Sequence, residues 1–233
     1  MTRIIHPNKG NDEAGFFSDT SERTAVVLGA TGLVGSHLVQ RLLEDNRFGK
    51  IKVFTRRNLA ITSEKLEEHI VDFEDAEQWK HLVQGDVLFS ALGTTRRKAG
   101  GKKAQFRVDF HYQYEFARIA AKNGMSAMVL VSSIGAAPNS KLFYPRIKGK
   151  LEQEVALLGF KHLVIIRPGP LYGPRPERRT GEAFGVFVIR ALNRLGMMKK
   201  YRPIHGDQVA AAMIRSLLHL KREPVIWSDQ EVV

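Results

Sequence analysis

Three groups of residues in this chain have the types and the spacing that chemistry requires. The first is the run Gly29-Ala30-Thr31-Gly32-Leu33-Val34-Gly35. A short apolar stretch, Thr24 to Leu28, leads straight into it, and Leu33, Val34, Leu38, Val39, Leu42 and Leu43 follow on one face of a helix. Glycines there permit a tight turn, let backbone N–H groups approach a pyrophosphate and bring helix and strand together, while the helix N-terminus adds positive potential. Gly29, Thr31, Gly32, Leu33, Val34 and Gly35 are therefore candidate dinucleotide-binding residues. The plainer alternative is a glycine-rich turn without a ligand.

The second group closes the next apolar run, Ile51 to Thr55, which ends in Arg56-Arg57. A dinucleotide fold that selects NAD places a carboxylate there for the ribose 2′-hydroxyl, and a basic residue suits a 2′-phosphate. Arg56 and Arg57, with no acid beside them, predict NADP(H) held by charge-assisted contacts. The alternative is two solvated arginines of a basic protein. The third group is Tyr144-Pro145-Arg146-Ile147-Lys148, eleven residues after Ser133. With Pro145 in the first turn of a helix, Tyr144 and Lys148 face the same way. A phenol of pKa about 10 needs nearby positive charge to exchange a proton near neutrality. Lys148 supplies that charge, and Ser133 would hold the same substrate oxygen. A partly exposed Tyr–Lys pair on a helix is the competing reading.

These groups need a scaffold, and the hydrophobic pattern predicts one. Apolar runs at Thr24–Leu28, Ile51–Thr55, His69–Asp72, Val87–Ala91, Met128–Ser132 and Leu163–Arg167 alternate with helical or loop stretches. Phe110, Tyr114, Ala117 and Ala121 mark one such helix. Strands separated by helical crossovers form a parallel sheet covered on both faces, so the expected fold is α/β, a doubly wound Rossmann-type sheet. Residues 1–23 read as a flexible extension, 24–233 as a single NADP-binding domain, and 169–233 as its small C-terminal lobe, with helices expected near Phe184–Leu195 and Gln208–Leu220.

Composition narrows the function classes. The 233 residues carry 36 Lys plus Arg against 24 Asp plus Glu, a formal charge of +12, and no Cys. The lack of Cys excludes disulfides, a thiol nucleophile and thiolate-ligated metals. No apolar run approaches the ~18 residues of a spanning helix, and the N-terminus lacks the order of a secretory signal. The protein reads as soluble and cytoplasmic, with no membrane partner. The eight His show no metal-ligand spacing, so no metal is expected. Arg96, Arg97, Lys98, Lys102, Lys103 and Arg107 form a basic run. With Phe106 its lone aromatic and no nucleic-acid module signature, it reads as a solvated loop beside an anionic cofactor.

The loop Gly29–Gly35, Ala91-Leu92-Gly93-Thr94, Ser133, Tyr144/Lys148 and Arg167-Pro168-Gly169 together resemble an atypical short-chain dehydrogenase/reductase. More narrowly, Leu92-Gly93-Thr94-Thr95-Arg96, Lys98-Ala99-Gly100, Val108-Asp109 and Leu142-Phe143-Tyr144 leading to Lys148-Gly149 are similar to the Tat-interacting-protein oxidoreductases. The resemblance covers residues 24–220. It implies an extended NADP(H), with Ala91, Leu92 and Gly93 on its ribose side and Asp72 and Phe73 at the adenine. Lys148 would hold the nicotinamide ribose, and Pro168, Gly169 and Leu171 would border the nicotinamide. Many such proteins carry Asn in the helix after the fourth strand; this chain has Val108-Asp109 there.

The expected activity is NADP(H)-dependent interconversion of a carbonyl and an alcohol, with Ser133, Tyr144 and Lys148 catalytic. The rival is an NADP(H)-sensing regulatory or partner-binding protein with little turnover. A sugar-nucleotide epimerase or dehydratase is the third reading, disfavoured because the short C-terminal segment leaves little room for a nucleotide sugar. Substrate identity, reaction direction and oligomeric state are not fixed by these residues.

Overall fold

The computed structural model describes residues 16–17, 21–173, 203–220 and 223–232. Strands β1 (Arg23–Leu28), β2 (Phe48–Thr55), β3 (Leu66–Ile70), β4 (Val87–Ser90), β5 (Ala127–Val131), β6 (His162–Ile166) and β9 (Val225–Trp227) form one sheet in the order β3-β2-β1-β4-β5-β6-β9. Every pair in it is parallel. The chain runs outward from β1 to β2 and β3 and then crosses back to β4 on the other side of β1, so strand order reverses between β1 and β4 and a crevice opens beyond their carboxyl ends. A separate parallel pair joins β7 (Leu171–Tyr172) to β8 (Ile204–His205).

Helices cover both faces. On one, α1 (Leu33–Glu44) and α7 (Gly206–Arg215) bury Val34, Leu38, Leu42, Val209 and Met213 against Ala25, Val27 and Val129. On the other, α5 (Tyr112–Lys122) and α6 (Phe143–Ala156) bury Phe116, Leu151 and Val155 with Trp79 of α2 (Ala76–Trp79) against Val26, Leu88 and Met128. Strand residues therefore alternate between two apolar layers, and near-continuous apolar runs such as Ala25–Leu28 follow directly.

Several boundaries differ from the sequence expectation. The third strand is Leu66–Ile70, not His69–Asp72, paired from Ile51↔Leu66 to Thr55↔Ile70. Its Glu67 and Glu68 look like loop in the sequence, but they are compensated on this edge. Glu67 pairs with Lys50 at 3.4 Å, and Glu68 accepts the Leu59 N–H at 2.7 Å. The helix after the fourth strand is broken into α3 (Arg96–Ala99), α4 (Lys102–Phe106), a π-helical turn over Arg107–His111, and α5. Helix α7 spans Gly206–Arg215 and tightens into a 3₁₀ turn over Ser216–His219. The helix expected at 184–195 lies outside the described residues.

Of the segment 169–233, α7 packs on α1 and β9 extends the main sheet, followed by the short helix α8 (Asp229–Val232). At the other terminus, Phe16 and Phe17 pack on the body. Phe17 meets Phe48 edge-on at 5.7 Å, and Arg23 donates to the Phe16 carbonyl at 2.9 Å. Among the described residues no helix is long and apolar enough to cross a membrane.

Candidate active site

The carboxyl ends of β1, β2 and β4 deliver three loops to one place. Gly29 ends β1 with φ of 93°, and a Cβ there would lie 2.6 Å from the Ala91 carbonyl carbon and the Leu92 nitrogen. At Gly35 a Cβ would lie 2.1 Å from the Gly29 carbonyl oxygen. Only glycine lets the loop fold this tightly against its neighbour and against α1. Gly32 caps α1 without a side-chain hydrogen bond, so its first-turn N–H groups are available to an anion.

A cleft of about 320 Å³ opens over this loop. It is lined by Gly29, Thr31, Gly32 and Leu33, by Arg56 and Arg57 beyond β2, and by Ala91, Leu92, Gly93 and Thr94 beyond β4. Val34 and Gly35 lie behind it, buried under the helix start.

The cleft also contains residues that sequence reasoning did not assign to it. Lys98, Ala99, Ala104, Arg107, Val108 and Tyr112 arrive from α3, α4, the π turn and the start of α5. Part of the basic run thus faces the cleft. The Tyr112 hydroxyl donates to Glu74 Oε1 at 2.5 Å, and Arg107 pairs with the same oxygen at 3.0 Å. Burial and that hydrogen bond push the Tyr112 phenol up to about 12. Phe73 stacks behind Tyr112 at 5.5 Å, one layer back from the cleft. Asp72 uses its carbonyl to accept the Trp79 indole N–H at 2.7 Å and its carboxylate to accept the Glu74 N–H at 2.9 Å.

A second cluster sits where β5 and β6 end. Pro145 occupies the first turn of α6, as its position predicts, and its carbonyl accepts the Ala137 N–H. Lys148, one turn after Tyr144, is fully buried and donates from Nζ to the Val131 carbonyl at 2.9 Å, which pins α6 to the end of β5. Burial pushes its ammonium down, while the charges of Asp109 and Glu152 pull it up. Tyr144 keeps 38% of its surface exposed. Its phenol is raised by burial and by the Asp109 carboxylate, the reverse of the lowering that Lys148 was expected to impose. The Oγ atoms of Ser132 and Ser133 are buried without hydrogen-bond partners.

Pro168 accepts the Ile134 N–H at 3.0 Å, and Leu171 pairs with Ile204 across β7 and β8. Arg167 is held by Glu152 of α6 through two hydrogen bonds, one of 2.9 Å. Gly169 is buried beside them. Ser132, like Lys98, Ala99, Ala104, Arg107, Val108 and Tyr112 in the cleft, was not assigned by sequence reasoning; for Ser132 its place next to Ser133 at the end of β5 was the available signal. Among the described residues no group of His, Asp and Glu could hold a metal ion.

Comparison with known proteins places this architecture. The fold is that of the short-chain dehydrogenase/reductases and nucleotide-sugar epimerases. A UDP-glucose 4-epimerase of Thermus thermophilus, solved with NAD, superposes with a TM-score of 0.67 at 18% identity, over 88% of this chain and 76% of that one. A short chain dehydrogenase family protein of Francisella tularensis gives 0.62 at 14% identity, over 91% and 99%. Protein FMP52, mitochondrial, of Candida glabrata is 37% identical over 85% of this chain and 86% of its own length. That of Saccharomyces cerevisiae is 34% identical over 83% and 87%. These names overturn the cytoplasmic assignment, which rested on the lack of an apolar span and of a secretory signal and on the acidic residues Asp12, Glu13, Asp19 and Glu22, which argued against a mitochondrial transit peptide. The HIM1 family model matches residues 51–201. With that match spanning β2 through the C-terminal half of the site, and with FMP52 proteins as relatives over most of its length, the chain belongs to the HIM1 family.

Proposed function

We propose that the protein is a mitochondrial NADP(H)-dependent oxidoreductase that interconverts a small carbonyl and its alcohol. The observation that carries this reading is the convergence of the Gly29–Leu33 loop, Arg56 and Arg57, and Ala91–Thr94 on one cleft. A dinucleotide fits these residues: Gly29 and Gly35 form a cradle that side chains would fill, and Arg56 and Arg57 line the cleft beyond β2 with guanidinium groups suited to a 2′-phosphate. The motif similarity to the Tat-interacting-protein oxidoreductases supports the same cofactor.

NADPH, when bound, supplies hydride to the carbonyl carbon. The chain's own residues handle the oxygen. Tyr144 gives it the phenolic proton, Ser133 donates a hydrogen bond that holds it in line, and Lys148 holds the ribose hydroxyls and places positive charge beside the phenol. Pro168, Gly169 and Leu171 would border the nicotinamide, and Asp72 and Phe73, with Tyr112 in front of Phe73, would flank the adenine. The basic run serves the anionic cofactor; any association with nucleic acid is weak and steeply salt-dependent.

A second reading is an NADP(H) sensor with little turnover, in keeping with the direction in which burial and the Asp109 carboxylate push the Tyr144 phenol, away from easy proton release. Titration of NADPH and NADH against wild type and Arg56→Ala/Arg57→Ala tests the cofactor. Tighter NADPH binding is expected, with about 1.5–3 kcal/mol lost for each charge-assisted contact removed. Equal affinities in wild type would refute NADP selection, and turnover on a panel of aldehydes, ketones and quinones separates enzyme from sensor.

A further inference from the structure

Tyr112, Arg107 and Glu74 form a cluster beside the cofactor cleft in which every member is held by another. Tyr112 and Arg107 line the cleft, and Glu74 does not. Glu74 stands in the loop after β3, where its Oε1 receives both the Tyr112 hydroxyl at 2.5 Å and Arg107 Nη1 at 3.0 Å. Its own backbone is fixed, because the Glu74 N–H donates to the Asp72 carboxylate at 2.9 Å. The ring of Tyr112 is held as well as its hydroxyl. Phe73 stacks on it at 5.5 Å with the planes 28° apart, and buried Trp79 meets Phe73 edge-on at 6.1 Å. The π turn Arg107–His111 allows the convergence, since it brings Arg107 and Tyr112 to one carboxylate. Such turns recur at functional sites.

An aromatic side chain pinned at both ends beside a cleft suits the stacking of a second flat ring. Its own motion is already lost, so that part of the cost of ordering the contact does not arise on binding. The neighbours define what the second ring must carry. Arg56, Arg57 and Lys98 line the same cleft beside the Gly29–Leu33 loop, whereas Ser133, Tyr144 and Lys148 do not line it. The cleft is the cation-rich half of the site, apart from the groups assigned to the chemistry, and its ligand is a flat base bearing phosphates.

We propose that Tyr112 is the stacking platform for the adenine ring of the cofactor, and that Glu74 is the residue that positions it. The proposal rests on the reading of this cleft as the NADP(H) site. Arg107 completes the arrangement. An unpaired carboxylate this near the cleft would repel the phosphates, and the guanidinium cancels that charge. Both side chains of the ion pair are 48% exposed, so its value lies in placing groups and little in stability.

Two probes test this by calorimetric titration of the full-length protein. Adenosine 2′,5′-bisphosphate carries the ring and the 2′-phosphate without the nicotinamide, and inorganic pyrophosphate carries no ring. Tyr112→Leu is expected to weaken the bisphosphate roughly five- to a hundredfold, as loss of a base-stacking aromatic does, and to leave pyrophosphate unchanged. Tyr112→Phe keeps the ring and should lose less. Glu74→Ala should weaken the bisphosphate in wild type and have a smaller effect once Tyr112→Phe is present, because it acts through the hydroxyl. Losses that simply add overturn the role given to Glu74.

If Tyr112→Leu binds the bisphosphate as wild type does, the platform is refuted and the cofactor reading stands. A parallel loss of pyrophosphate refutes it too, since the ring then only maintains the cleft. Wild type that fails to bind the bisphosphate removes the cofactor reading, and the proposal with it. Should Tyr112→Leu not fold, the wild-type protein carries the test through nuclear Overhauser contacts between the adenine H2 and H8 protons of the bound bisphosphate and the Tyr112 ring. Their presence sustains the platform, and their absence overturns it.

Discussion

Tyr144 is the residue at which enzyme and sensor part. Replacement by Phe removes the hydroxyl and keeps the ring, so folding and NADPH binding should survive while carbonyl reduction falls roughly 10²–10⁴-fold. Lys148→Ala should lose cofactor affinity as well as rate. The direction of the Tyr144 shift supplies a sharper test. Burial and Asp109 hold the phenol above its ordinary value, so tyrosinate absorbance, taken as wild type minus Tyr144→Phe, should appear only above about pH 10 in the cofactor-free protein. NADP⁺ should then draw it downward, because a positive ring beside the phenol favours the ionised form. A midpoint that NADP⁺ does not move would remove Tyr144 from the chemistry. The contiguous residues of this site were legible in the sequence: Gly29 to Leu33, Arg56–Arg57 and Ala91–Gly93 are short runs at strand ends, where a parallel sheet must place them. Lys98, Arg107 and Tyr112 were not. The π turn spaces Arg107 and Tyr112 five residues apart on one face, which a search at helical period assigns to different faces.

At the scale of elements, the cleft depends on how α1 is held, since α1 begins inside it. Arg41 of α1 meets Asp207, in the first turn of α7, through two hydrogen bonds of 2.6 and 2.7 Å. That contact fixes the helix entering from the glycine loop to the helix following β8, and His37 stands 3.9 Å from the same carboxylate. The Arg41 hydrogen bond holds Asp207 below the usual carboxylate range. A depressed folded value means that the stabilisation is present at neutral pH and is lost as pH falls through that value. Both partners are more than a third exposed, so solvent screening limits the contribution to roughly 1 kcal/mol or less. Asp207→Asn should therefore lower stability by that amount at neutral pH, and by progressively less as pH falls below the ordinary carboxylate range, as read by urea unfolding across that range. A difference that persists in acid would mean that the amide disturbs packing and that the ion pair is not the cause. The shifted β3 belongs to this scale too. Its acidic residues conceal a strand that becomes visible only when Lys50 of the neighbouring strand is placed beside Glu67.

For the whole molecule, the sheet is closed at one edge by β9, which pairs with β6 from Val164↔Val225 to Ile166↔Trp227. Nothing in the sequence announced it. Three apolar residues between Pro224 and Ser228 are too few to show a period, and burial on both faces removes any alternation. Yet this strand reaches the site. The Arg167 N–H donates to the Trp227 carbonyl at 2.8 Å, Pro168 follows, and its carbonyl receives the Ile134 N–H just beyond Ser133. Trp227 is 3% exposed, with Arg215 over its ring at 5.6 Å. Truncation to Ala should cost about 3–5 kcal/mol, as for other buried large aromatics. Trp227→Phe separates ring packing from polarity. The indole Nε1 is buried without a partner, and an unsatisfied donor of that kind costs about 1–3 kcal/mol. Its removal should offset most of the packing lost with the smaller ring, leaving the variant within about 1.5 kcal/mol of wild type. Urea unfolding of the two variants measures both quantities. If Trp227→Phe proves as damaging as Trp227→Ala, the indole N–H has a partner that stabilises the fold, and the edge of the sheet is held by more than apolar packing.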